Sequence, residues 1–131
     1  MGFPSLFSRG SKRFWTKEAF QQTLAKQLRM SPIALEGLAE VSVGSEDQFK
    51  LEYFFHTDST RKASALTGDL EELGCQAEQQ RSAADERLSI ITGWTPPLTM
   101  SHAILQVWTE RMCRLGFQRD CKFDGWGTTT G

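Results

Sequence analysis

The residues best suited to chemistry in this chain are two histidines and a few carboxylates. His56 and Asp58 follow an aromatic run, and Asp124 lies in Phe123-Asp124-Gly125-Trp126-Gly127 near the end of the sequence. An imidazole beside a carboxylate can act as a general base. Each carboxylate also has a structural reading: Asp58 belongs to the helix-capping run Thr57-Asp58-Ser59, and Asp124 stands in a turn beside Gly125. Ser101 and His102 fall in or near the first turn of a helix without a nucleophile elbow, and no phosphate-binding glycine loop occurs. The 3 cysteines, Cys75, Cys113 and Cys121, are odd in number and irregular in spacing, so buried reduced thiols are expected rather than a disulfide framework. No CxxC or His pair supplies ligand spacing, and neither metal nor cofactor is expected. Trp94 and Trp126 are candidate stacking residues. With His56 they define an alternative reading, a small-ligand-binding protein or an enzyme.

Charge narrows the partners. Residues 1–30 hold six basic and one acidic residue, whereas residues 31–131 hold nine basic and fifteen acidic ones. The acidic part argues against a phosphate-binding track, so tight direct nucleic-acid binding is not expected. A length of 131 residues suits one domain, and 24% charged with 11% aromatic residues is a globular composition. Apolar runs are too short for a membrane span, and Arg9, Lys12 and Arg13 are not followed by the apolar stretch of a secretory signal. Leu6 stands where a myristoylation motif after Gly2 needs Ser or Thr. The expectation is a soluble, cytoplasmic protein.

Three segments follow from the pattern: a flexible basic arm over 1–13, an N-terminal helical segment over 14–47, and a domain over 48–131. Thr16 is a fitting N-cap for a helix with Phe20, Leu24 and Leu28 on one stripe, and Ser31-Pro32 predicts the restart of a second. Val43 to Asp47 reads as a polar turn. Phe49 to His56 alternates as a strand, with Phe49, Leu51, Tyr53 and Phe55 on one face. A helix follows with Ala63, Leu66, Leu70 and Leu73, closed by Gly74, and Cys75 to Gln79 is a short strand. Gln80 to Glu86 turns the chain into a strand over Arg87 to Trp94, which Pro96-Pro97 ends. Thr99 is expected to cap a helix bearing Ile104, Leu105, Trp108, Met112 and Leu115, closed by Gly116, with a last strand over Phe117 to Phe123. The two halves repeat, each helix ending in Leu-Gly (Leu73-Gly74 and Leu115-Gly116). Two tandem βαβ units predict an α+β fold, a ferredoxin-like βαββαβ sandwich. Its four-stranded antiparallel sheet carries two helices on one face and is preceded by one or two N-terminal helices. The first and third strands should be central.

Glu52-Tyr53-Phe54-Phe55, Gly93-Trp94-Thr95, Met112-Cys113-Arg114-Leu115-Gly116-Phe117 and the closing Phe123-Asp124-Gly125-Trp126-Gly127-Thr128 resemble the family of the regulator of ribonuclease E activity B. The resemblance covers roughly residues 48–128. It implies a ferredoxin-like domain without catalytic residues, a bacterial protein-interaction module that restrains an RNA-degrading enzyme such as ribonuclease E. The implied partner is a protein, an endoribonuclease, and a homodimer is an alternative.

Strict alternation places Phe54 on the sheet face that the two helices leave open. Ile91 can join it if Leu88 and Ile90 point inward. Phe54, Ile91, Trp94, Asp124 and Trp126 are the candidate protein-binding residues. The N-terminal helix, with its own apolar stripe, is expected to dock across Phe54 and Ile91, or a second copy of the protein or a regulatory target to take its place.

Overall fold

The structure is a computed structural model that describes residues 13–41, 48–99 and 101–127, with residues 31–41 and 48 described as backbone only. Residues 1–12 of the arm expected over 1–13, the turn over 43–47 and Thr128 lie outside the described residues; Arg13, the last residue of that arm, is described and is anchored on Phe117 rather than free.

Helix α1 (Lys17–Val41) begins where Thr16 caps it, its hydroxyl oxygen accepting the Ala19 N–H at 3.2 Å. It runs through Ser31-Pro32, where a restart was expected. The main sheet is formed by β2 (Glu52–Thr57), β3 (Gln76–Arg81), β4 (Ser89–Trp94) and β6 (Lys122–Gly127), in the order β3-β4-β2-β6 with every pair antiparallel. β2 and β4 are therefore central, as expected. The predicted first strand is interrupted at Lys50-Leu51: β1 (Gln48–Phe49) instead pairs with β5 (Leu98–Thr99), which follows Pro96-Pro97. Leu51 remains buried, against Leu105.

Helices α2 (Thr60–Glu72) and α3 (His102–Gln118) pack on the face that carries Tyr53, Phe55, Ile91 and Phe123. Ala63, Leu66 and Leu70 come from α2, and Met112 and Cys113 from α3. Ser59 caps α2, its side chain accepting the Lys62 N–H, and Gly74 closes the turn after it with φ +86°. Ser101 caps α3 by accepting the Ile104 N–H at 3.1 Å, a role the sequence suggested for Thr99.

The end of α3 also differs from expectation. Gly116 does not close the helix, which continues to Gln118; a Cβ there would lie 2.5 Å from the Cys121 carbonyl oxygen and 2.8 Å from the Phe55 ring. Gly116 thus serves close packing, and the left-handed residue is Asp120, with φ 58°. The last strand consequently starts at Lys122 rather than Phe117.

α1 lies beside α3 and does not cross Phe54 and Ile91. Its Phe20 ring stacks on Phe117 at 4.5 Å and packs with Leu24 on the core. The physical reason is that Phe117, helical rather than extended, offers an apolar seam on α3 that an isolated Phe on the sheet does not match.

A bulge in β6 sets the final strand. Phe54 pairs with Gly125 but Phe55 with Phe123, so Asp124 is the extra residue. Gly125 carries φ +116°, a conformation that L side chains rarely adopt. The inserted residue reverses the alternation, and Trp126, paired with Tyr53, packs inward at 6.4 Å from Trp108. We expect Gly125→Val to destabilise the fold by about 1–2 kcal/mol or more through backbone strain. The midpoint of urea unfolding measures it, and an unchanged midpoint would show that the bulge tolerates a β-branched residue.

Candidate interaction face and its N-terminal latch

No described helix lies across the sheet face opposite α2 and α3, although Phe14 reaches its His56 end. Register places Glu52, Phe54 and His56 of β2 there, with Ile90, Thr92 and Trp94 of β4 and Gln76, Glu78 and Gln80 of β3. Phe54 is 36% exposed at its centre. Ile91 does not join it. It pairs with Phe55, is fully buried and belongs to the core, because β4 alternates in the other phase and Ile90 faces outward. Thr92, paired with Phe54, has a buried hydroxyl with no hydrogen-bond partner among the described residues.

The five candidate residues therefore divide. Phe54, Trp94 and Asp124 lie on the open face; Ile91 and Trp126 lie on the helix face. Trp94 pairs with Glu52 at one end of β2, whereas His56 sits towards the other. Trp94, Trp126 and His56 are not brought together into one site.

One cluster does form. His56 Nδ1 is hydrogen-bonded to Asp124 Oδ2, both groups being partly exposed. They line a shallow cleft of about 240 Å³ with Phe54, Ser82, Leu88 and Ile90. Asp58, the other carboxylate considered, instead pairs with Lys62 at 2.9 Å. The Ser82 oxygen accepts the Ala84 and Asp85 N–H groups, both at 3.2 Å, and so shapes the turn that walls the cleft.

At the His56 end of the sheet a second cluster ties the N-terminal segment down. The Asp120 carboxylate accepts the Phe14 and Trp15 N–H groups, both at 2.7 Å, and the Lys62 ammonium at 2.6 Å; its carbonyl accepts the Thr57 hydroxyl at 2.9 Å. Arg13 donates to the Phe117 carbonyl and stacks 4.1 Å above its ring. Trp15 is buried against Phe20 and Phe117. Phe14 packs edge-on against His56 at 5.2 Å. Burial alone would push the Asp120 carboxyl up, but Lys62 and the two backbone donors outweigh it and hold the group below the ordinary carboxylate range. Within the strand expected over Phe117 to Phe123, Asp120 is only one polar position. The only local signal is a carboxylate just after Gly116-Phe117, since the Phe14 and Trp15 donors are over 100 residues away and Lys62 is 58.

The cysteines are chemically quiet. All are unpaired, and burial pushes Cys113 and Cys121 up to about 12 and raises Cys75. No described helix is long and apolar enough to cross a membrane.

The architecture is α+β: a four-stranded antiparallel sheet backed by helices on one face, the other face open and partly apolar among the described residues. The chain belongs to the family described as regulator of ribonuclease activity B, whose model matches residues 31–128. No curated protein matches the chain. The latch residues Arg13, Phe14 and Trp15 precede the matched range, whereas Asp120, Lys62 and Phe117 lie within it.

Replacing Asp120 by Ala should cost about 2–4 kcal/mol, since it leaves the Phe14 and Trp15 N–H groups without their acceptor and puts a residue that tolerates positive φ poorly at this position. Asp120→Asn keeps a residue that tolerates positive φ and isolates the charge. Because the folded-state pKa is depressed, the stability it contributes is present above the unfolded pKa of about 3.9 and is lost as pH falls through the lower folded value. Wild type should therefore exceed Asp120→Asn most at neutral pH, and the gap should close at acid pH. A gap independent of pH in urea titrations would contradict this.

Proposed function

We propose that this protein regulates an endoribonuclease by binding it through the open sheet face, acting as a restraint without catalysis of its own. Membership of a family of ribonuclease regulators carries this reading. Phe54, exposed beside Thr92, whose hydroxyl has no hydrogen-bond partner among the described residues, supplies the anchor, with Trp94 and Asp124 on the same face. The strand order supports a ferredoxin-like description. Ribonuclease E is the target that the resemblance implies, and a bacterial cytoplasmic setting follows from it. A homodimer through this face is the competing use of Phe54.

A second reading has one observation in its favour: the hydrogen bond between His56 and Asp124 fixes the imidazole as a general base requires. The cleft beside it is shallow, and the Ser82 oxygen is engaged by two backbone donors.

The purified protein should slow RNA cleavage by the target endoribonuclease while cleaving no RNA itself. Phe54→Glu should weaken the inhibition by about tenfold or more, the equivalent of losing one buried Phe. Val107→Glu, on the exposed side of α3, should leave it unchanged. RNA hydrolysis by the protein alone, abolished in His56→Ala, would favour the second reading instead.

A further inference from the structure

Ligand clefts for whole small molecules occupy about 300–1,000 Å³, so the cleft of about 240 Å³ at His56 and Asp124 is sized for a single side chain. Its walls are of two kinds. Phe54, Leu88 and Ile90 give an apolar surface, and Asp124 gives a carboxylate whose hydrogen-bond partner among the described residues is His56, through Oδ2. Oδ1 has no partner there. On the open face Asp124 and Glu78 lie nearer the cleft and Glu52 at the far end of β2, with Lys122 as the basic residue that register places there; Arg87, in the turn that walls the cleft, is paired with Asp85 at 3.0 Å. Lys122 lies across from His56 and makes no ion pair with Asp124 among the described residues.

An apolar wall beside a carboxylate is complementary to a side chain with a long aliphatic stem and a cationic head. We infer that the cleft receives one arginine side chain of the protein partner. Its stem lies against Leu88 and Ile90, and its guanidinium meets Asp124 and the Phe54 ring. Arginine fits better than lysine because its planar group both forks to a carboxylate and stacks on an aromatic face. The inference rests on the interaction reading above and names the chemistry of its partner. Phe14 is a positioning residue here: its edge contact holds the His56 ring that orients Asp124.

The test is an NMR titration of the full chain with N-acetyl-arginine amide, N-acetyl-lysine amide and N-acetyl-norleucine amide. The arginine probe should give saturable shifts centred on Phe54, Ile90 and Asp124, the lysine probe weaker ones, and the norleucine probe none. Asp124→Asn should weaken arginine binding roughly fivefold, as for a partly exposed ion pair, while Glu52→Gln changes it little. Shifts of equal size with norleucine, shifts that do not saturate, or binding unaffected by Asp124→Asn would each overturn the assignment. If arginine fails while Phe54→Glu still abolishes ribonuclease inhibition, the arginine assignment alone falls. If arginine binds and no ribonuclease is inhibited, the proposed target falls instead.

Discussion

Asp120 is the point at which four parts of the chain are held together. A residue in the left-handed region carries a backbone cost of about 1–2 kcal/mol, which Asp tolerates better than most. The compensation is geometric. Turning the backbone there after α3 aims the carboxylate back over the helix end, where the N–H groups of Phe14 and Trp15 converge on it, and leaves its carbonyl on the Thr57 hydroxyl. Lys62 closes the set from the first turn of α2. Charge-assisted hydrogen bonds contribute about 1.5–3 kcal/mol each, and three on one largely buried carboxylate outweigh its desolvation. The end of β2, the start of α2, the end of α3 and the entry to α1 are thereby fixed relative to one another.

The second constraint is the bulge at Asp124. Without it, alternation from Phe123 would send Trp126 to the open face and make that face broadly aromatic. With it, Trp126 fills the space beside Trp108, and Asp124 stands out beside His56. One inserted residue thus both completes the core and supplies the carboxylate of the cleft. Gly125 makes this feasible, because few other residues hold φ near +116°.

Elements governed by local pattern were legible in the sequence. Tyr53 and Phe55 point inward as their alternation says, Thr16 and Ser59 cap as their types say, and Gly74 is left-handed. Failures occurred where a longer-range contact decided between two locally equal choices. Ile90 and Ile91 are adjacent and equally apolar, so only the pairing of Phe55 with Ile91 sets the phase of β4. Gly116 resembles Gly74 as a helix terminator, yet its hydrogen is what the Phe55 ring and the Cys121 carbonyl require. On the open face Phe54 was legible from alternation alone; Trp94 shares its phase with Leu88 and Ile90, expected inward, and Asp124 read as a turn residue, so the pairing of β4 and β6 with β2 decides both. The latch was not legible, since nothing near Arg13-Phe14-Trp15 in sequence indicates a carboxylate over 100 residues away.

The latch and the cleft meet in one residue. His56 receives the Phe14 edge from one side and bonds Asp124 with Nδ1, so its ring is oriented jointly by the latch and by the bulge. The bulge lies within the range matched by the family, and the latch precedes it. The β6 bulge alone is enough to place the Asp124 carboxylate on the open face, but the rotamer of its partner imidazole depends on a segment that Asp120 must hold. Loosening Asp120 therefore acts on two levels: it removes stability from the fold, and it frees the His56 ring at the rim of the cleft. A surface whose shape is set by a separately anchored segment can be tuned by changes to that segment, with the sheet itself left intact.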